Sequence, residues 1–170
     1  MDTFKKIFPT KQFKQVIKLK TRQLALTAMM TAIVFVATFV PKIPIPLGYA
    51  HLGNAAIFLA VIFCGRRVGI FSGVLGSALA DLLSGFPIWI LPTMFIKAAE
   101  AEIFFRLHEK NFLLGLIAAG LIMATGYILA GAVLYDSLSA GLASTPGLLM
   151  EAAVNAFATI VIGAAIRRNA

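Results

Sequence analysis

Cysteine, histidine and acid are scarce in this chain, and each shortage closes a class of function. One cysteine, Cys64, can form neither an internal disulfide nor a thiolate metal cluster. The two histidines, His51 and His108, stand far apart, so no metal site is expected. Three aspartates (Asp2, Asp81 and Asp136) are too few and too scattered for a CDP-alcohol transferase, which needs several at fixed spacing on one helix. A P-loop, GxxxxGK(S/T), is missing, so the chain cannot use ATP by itself. HExxH is missing too. The nearest string to the GxSG of a rhomboid-type protease, Ile70-Phe71-Ser72-Gly73, lacks the leading glycine. No filter-like loop of a pore is readable. Charged residues make up 13% of the chain, against roughly 25% in a soluble domain.

What fills the sequence instead is apolar. Of 170 residues, 60% are hydrophobic, and the mean hydropathy is +0.93. Strand-like alternation is absent, which excludes a β-barrel. The pattern predicts an all-α integral membrane protein with six transmembrane helices, at about 23–40, 53–65, 68–84, 87–106, 112–134 and 147–166. The second span is short, which implies local bilayer thinning or burial among its neighbours. No repeat or long linker divides the chain, so residues 1–170 are expected to form a single membrane domain. Residues 1–22 are its basic cytoplasmic interfacial segment and 23–168 its six-helix bundle.

The basic residues orient the spans. Seven precede the first: Lys5, Lys6, Lys11, Lys14, Lys18, Lys20 and Arg22. Arg66 and Arg67, Arg106 and Lys110, and Arg167 and Arg168 fall at alternate ends of later spans. With both termini cytoplasmic, 13 of the 15 basic residues lie inside. Lys42 then lies outside and Lys97 within the membrane. The net charge of +8 sits in short blocks between apolar runs, a membrane pattern with no nucleic-acid face. The N-terminal apolar run is too long for a cleaved signal peptide, and five more spans follow. Residues 10–22 read as a basic amphipathic segment, either lying on the inner leaflet or docking a partner. The external loops are 41–52, the tight SGFP turn at 84–87, and 135–146.

Ionisable groups inside spans are costly, by about 2.5–3.5 kcal/mol for a lysine at a helix centre, so those present are functional candidates. Residues 92–105, PTMFIKAAEAEIFF, hold three of them. Glu102 is within reach of the inner interface and of Arg106. Lys97 and Glu100 are three apart and can face each other. Either they form a buried pair, or Lys97 faces an interior cavity and donates to a ligand, or it links to another helix. Further polar groups gather toward the outer side: His51 and Asn54, Asp81, Trp89, Tyr127 in the fifth span, and Glu151 with Asn155 on one face of the sixth. Trp89 and Tyr49 serve either as interfacial aromatics or as stacking surfaces. The common depth of these residues describes a pocket for a small polar aromatic molecule. Pro41, Pro44 and Pro46 stiffen the first external loop into an extended lid. Ala28-x-x-x-Ala32 and Gly69 with Gly73 give faces that another helix can approach closely.

The chain resembles the substrate-binding S component of energy-coupling factor (ECF) vitamin transporters. The resemblance rests on six spans with both ends inside, the basic N-terminal segment, Ala28-x-x-x-Ala32, the loop GYAHLGNAA, the stretch GSALADLLSG, and the span holding Lys97. It looks closest to the branch handling hydroxymethylpyrimidine, pyridoxine and riboflavin. It implies a plasma-membrane subunit, bacterial in origin, that captures a vitamin from outside and has no enzymatic activity. Ala28 and Ala32 would dock onto a membrane coupling protein driven by two cytoplasmic ATPases. The subunit would topple in the bilayer to deliver its cargo. ATP belongs to those partners, and no cofactor is implied in this chain. The expected substrate-binding residues are His51, Asn54, Asp81, Trp89, Lys97, Tyr127, Glu151 and Asn155. The few aromatics suit a small ring such as hydroxymethylpyrimidine or pyridoxine better than a flavin. The competing readings are a small intramembrane enzyme using Asp81, Glu151 or His51, a ligand-free structural subunit, and a riboflavin-specific S component.

Overall fold

The structure is a computed structural model that describes residues 10–168, with side chains from residue 20 onward. Lys5 and Lys6 lie outside the described residues, as do the side chains of Lys11, Lys14 and Lys18. The chain runs α1 (Thr10–Phe39), β1 (Ile43–Ile45), β2 (Gly48–Ala50), α2 (Gly53–Cys64), α3 (Arg66–Leu83), a 3-10 turn (Pro87–Trp89), α4 (Ile90–His108), α5 (Phe112–Leu134), α6 (Leu138–Ala143) and α7 (Thr145–Arg168).

Local chemistry sets these boundaries. The Asn111 side chain accepts from the Leu114 N–H and opens α5; Ser137 does the same for α6 through Ala140. Gly65, at φ 89°, lets the chain leave α2 and enter α3 within one residue, a backbone state that costs glycine little. Pro87 begins the 3-10 turn, and Pro92 stands in the first turn of α4, where a missing N–H breaks no helical bond.

The six expected spans correspond to α1–α5 and α7, and 112–134 matches α5 end to end. Three differences stand out. First, α1 is unbroken from Thr10, so residues 10–22 continue the first helix. No glycine or proline interrupts residues 10–39, and 30 residues at a 1.5 Å rise give about 45 Å, longer than a ~30 Å hydrocarbon core. Second, the first loop is an antiparallel hairpin, with Ile43 opposite Ala50, Pro44 opposite Tyr49 and Ile45 opposite Gly48. A two-stranded ribbon is all edge, so Pro44 removes no essential ladder bond. Third, the 135–146 loop contains α6. By length and composition, Lys20–Phe39, Phe112–Leu134 and Leu138–Arg168 qualify as membrane spans among the described residues. The shorter or more polar α2, α3 and α4 carry many of the buried polar side chains.

Helix α3 packs on α1, α2 and α4; α5 packs on α4 and α7; α2 also meets α7. One apolar cluster joins Val34, Ile57, Phe58, Val61, Phe104 and Leu116, and a second joins Ile96, Met123, Ala124 and Leu148. Arg66 and Arg106 both reach Glu102 at 2.6 Å, so the start of α3 and the end of α4 share one end of the bundle, the basic end. The hairpin closes the other end. Gly69 and Gly73 face Val61 and Ile57 of α2, and Gly76 faces Thr31 and Val34 of α1. Ala28 and Ala32 lie on the outward face of α1, beside exposed Met29, Ile33 and Val36.

A Cβ at Gly76 would stand 2.8 Å from the Thr31 carbonyl oxygen and from Val34. Gly76→Val is expected to lower stability in detergent by about 1–3 kcal/mol through forced separation of α1 and α3. Gly48→Ala, with nothing within 4 Å of the new atom, should leave the thermal midpoint unchanged.

Candidate functional site

A cleft opens at the hairpin end, between the hairpin and α3, α4, α5 and α7. Its mouth is lined by Ile45, Pro46, Leu47 and Gly48. Leu47 holds φ 66° at the hairpin turn and packs toward Gly131 of α5. Trp89 and Tyr127 form one aromatic wall, their rings 5.7 Å apart. Tyr49 and Phe86 form another, also at 5.7 Å.

Carboxylates line the cleft. Asp81 Oδ1 accepts from the Tyr49 hydroxyl at 3.2 Å; its buried Oδ2 has no partner at full hydrogen-bond geometry among the described residues, with the Thr93 side chain close enough for a weaker interaction. Trp89 Nε1–H is likewise buried and has no partner among the described residues. A donor and an acceptor left unsatisfied in a native interior call for an explanation, and both belong to pocket-lining residues. Tyr127 donates to Thr93 Oγ1 at 3.2 Å. The hairpin is fastened to the end of α3. Ser84 Oγ receives Lys42 Nζ at 2.6 Å and lies 3.3 Å from the Tyr49 hydroxyl.

Behind this lining runs a fully buried polar layer. Lys97 Nζ donates to Glu100 Oε2 at 3.0 Å and to Asn54 Oδ1 at 2.5 Å. Asn54 Nδ2 donates to Glu151 Oε1 at 3.3 Å. Asn155 ties α2 to α7: its Oδ1 accepts the Ala55 N–H at 2.8 Å, and its Nδ2 donates to the carbonyls of His51 and Glu151. It thus caps α2 from a neighbouring helix, because Leu52 at the N-cap offers no side-chain acceptor. Thr159 continues the α7 polar stripe by donating to the Asn155 carbonyl.

Of the eight expected binding residues, His51, Asp81, Trp89, Tyr127 and Glu151 line the cleft. Asn54, Lys97 and Asn155 stand behind it with at most 1% exposure. Glu102 is at the opposite end with Arg66 and Arg106. Thr93 and Phe86 were not singled out from sequence. Thr93 lies four residues before Lys97 on the same buried stripe, a signal the spacing does carry. Phe86 sits in the SGFP turn, and no periodicity marks it.

His51 connects the two layers. Its Nδ1 accepts the Gly53 N–H at 3.1 Å and lies 3.2 Å from Glu151 Oε1. Burial, reinforced by the Lys97 charge, holds the imidazole well below its usual pKa, although its own backbone carbonyl pulls the other way.

Comparison with known proteins places the chain. Residues 18–168 match the family model described as "ECF-type riboflavin transporter, S component". A protein of Pyrococcus woesei, described as an uncharacterized protein in a gap 3' region, is 40% identical over 109 residues, 60% of this chain and 73% of its own. The thiamine precursor transporter HmpT of Lactococcus lactis subsp. cremoris is 30% identical over 119 residues, 67% of this chain and 69% of its own. A solved structure described as the S component of a bacterial ECF transporter superposes with a TM-score of 0.74 at 22% identity, over 88% of this chain and 97% of that one. The chain therefore belongs to the family of ECF-type S components: it is a plasma-membrane vitamin-transporter subunit and not an enzyme.

The state of His51 yields a pH dependence. Near and below pH ~6.5 the unfolded chain binds a proton that the folded chain refuses, so stability falls as pH drops from about 7.5 to about 5.5. The groups facing the ring are Glu151 of α7, Lys97 of α4 and Tyr49 of β2. In His51→Asn, whose amide oxygen replaces the acceptor for Gly53, the thermal midpoint is expected to vary less over that window than in the wild type. Equal slopes would contradict a buried neutral imidazole.

Proposed function

We propose that this S component captures a small polar heteroaromatic ring, of the hydroxymethylpyrimidine type first and the pyridoxine type second. Capture occurs from the outer side, with the basic end facing the cytoplasm. A transmembrane coupling protein docks on the Ala28–Ala32 face, and two ATPases supply the energy; this chain carries no cofactor of its own. The observation that carries the ligand assignment is the unpartnered pair at the cleft, acceptor Asp81 Oδ2 and donor Trp89 Nε1–H, beside aromatic walls. An aminopyrimidine offers the complement: an amino group for the carboxylate and a ring nitrogen or hydroxyl for the indole. Its flat face suits stacking on Trp89 and Tyr127. The 30% identity to a thiamine precursor transporter supports the same choice. The family description supports riboflavin as the alternative cargo.

Titration of the purified subunit with hydroxymethylpyrimidine, pyridoxine, thiamine and riboflavin, read by quenching of the lone tryptophan Trp89, separates these. The expected result is tight binding of hydroxymethylpyrimidine without chemical change. Asp81→Asn should weaken it by about ten- to a hundred-fold, the size of a lost hydrogen bond to a charged group. Preferential binding of riboflavin would overturn the proposed cargo, and turnover of any ligand would overturn the transport role.

A further inference from the structure

The cleft and its ligand do not account for Lys97. Its side chain has no exposed surface, it is absent from the cleft lining, and its ammonium is already committed. What it does is anchor the amide of a neighbouring side chain. Asn54 has two ends, a carbonyl oxygen and an NH₂, and both are buried. Glu151, a carboxylate, can take only the NH₂ end, but with nothing holding its oxygen end the amide would be free to turn off that contact. Lys97 Nζ carries only donors, and at 2.5 Å it can donate only to the oxygen end of Asn54. The NH₂ end must then point to Glu151, where it meets Oε1 at 3.3 Å. With Oε1 held by Asn54 and close to His51 Nδ1, the other oxygen of this cleft-lining carboxylate, Oε2, receives no hydrogen bond from the described residues.

We propose that Lys97 is a positioning residue: through Asn54 it fixes the orientation of the Glu151 carboxylate and keeps Oε2 as an acceptor directed at the ligand. Lys97 itself never touches the ligand. Its consequence for cargo choice rests on the capture role proposed above, whereas the Lys97–Asn54–Glu151 relay is a property of the folded chain alone. Three helices share it, since Lys97 belongs to α4, Asn54 to α2 and Glu151 to α7. Glu100 balances the lysine charge on its own helix and has no part in orienting the amide.

The test separates positioning from bracing. Lys97→Met alone leaves Glu100 buried without its cation and is expected to destabilise the fold. The double variant Lys97→Met/Glu100→Leu removes both charges and restores the thermal midpoint toward wild type. Two readouts follow on that double variant. Selective ¹⁵N-asparagine labelling gives side-chain signals from only four residues in the chain. The Asn54 pair is expected to be protected from solvent exchange in the wild type and to lose protection in the double variant. Affinity for hydroxymethylpyrimidine is expected to stay about ten-fold or more below wild type despite the recovered stability. Unchanged Asn54 protection, or affinity that returns with the midpoint, would overturn the relay. Failure of the wild type to bind the pyrimidine would sink the proposed cargo, while the asparagine signals would still decide the relay.

Discussion

The Lys97 ammonium, enclosed by the bundle with no exposed surface, is the constraint around which the rest is arranged. A charge in that position must be neutralised in place, and removing one partner of a buried pair costs about 3–5 kcal/mol. Glu100 supplies the opposite charge from the following turn of the same helix, and Asn54 supplies an oxygen from another. The face of Tyr127, 5.3 Å from the ammonium, covers a third direction. Because Asn54 and Glu151 are themselves buried, satisfying the lysine determines which way each must turn. One buried lysine thereby links α4 to α2 and, through Asn54, to α7.

That layer also gives the cleft a rigid base. Its floor is polar, its walls are aromatic, and its mouth is a hairpin fastened by Lys42, Ser84 and Tyr49 to the end of α3. The opposite end of the bundle is built differently, from an exposed cluster in which Glu102 holds two arginines. Exposed ion pairs of this kind contribute little to stability, on the order of 0–1 kcal/mol, but their charge suits a cytoplasmic surface. Between the two ends, glycines of α3 admit α1 and α2 at close range. The chain thus separates its tasks by depth: ligand chemistry at the hairpin end, packing in the middle, charge at the basic end.

Much of this was legible in the sequence. Long apolar runs bounded by charge located the helices, and the i,i+3 and i,i+4 spacing of Lys97 with Glu100 and of Glu151 with Asn155 put each pair on one buried face. The family followed from the ensemble of such features. What the sequence did not disclose was which polar residues meet across helices. Asn54 and Lys97 are 43 positions apart, Asn155 and Ala55 are 100 apart, and no local periodicity relates them. The hairpin was also hidden. Three prolines point to an extended loop, but the pairing of Pro44 with Tyr49 depends on a turn at Leu47 with positive φ, a state that a leucine does not advertise. Likewise α6 is too short, at six residues, to leave a helical pattern.

The most direct measurement is an experimental structure of the subunit with hydroxymethylpyrimidine bound. The expected complex has the ring against Trp89 and Tyr127, its amino group on Asp81 or Glu151, and Lys97 still joined to Asn54 and Glu100 with no ligand contact. A ligand held directly by Lys97, or seated away from the hairpin end, would contradict the division between a lining that binds and a buried layer that positions it.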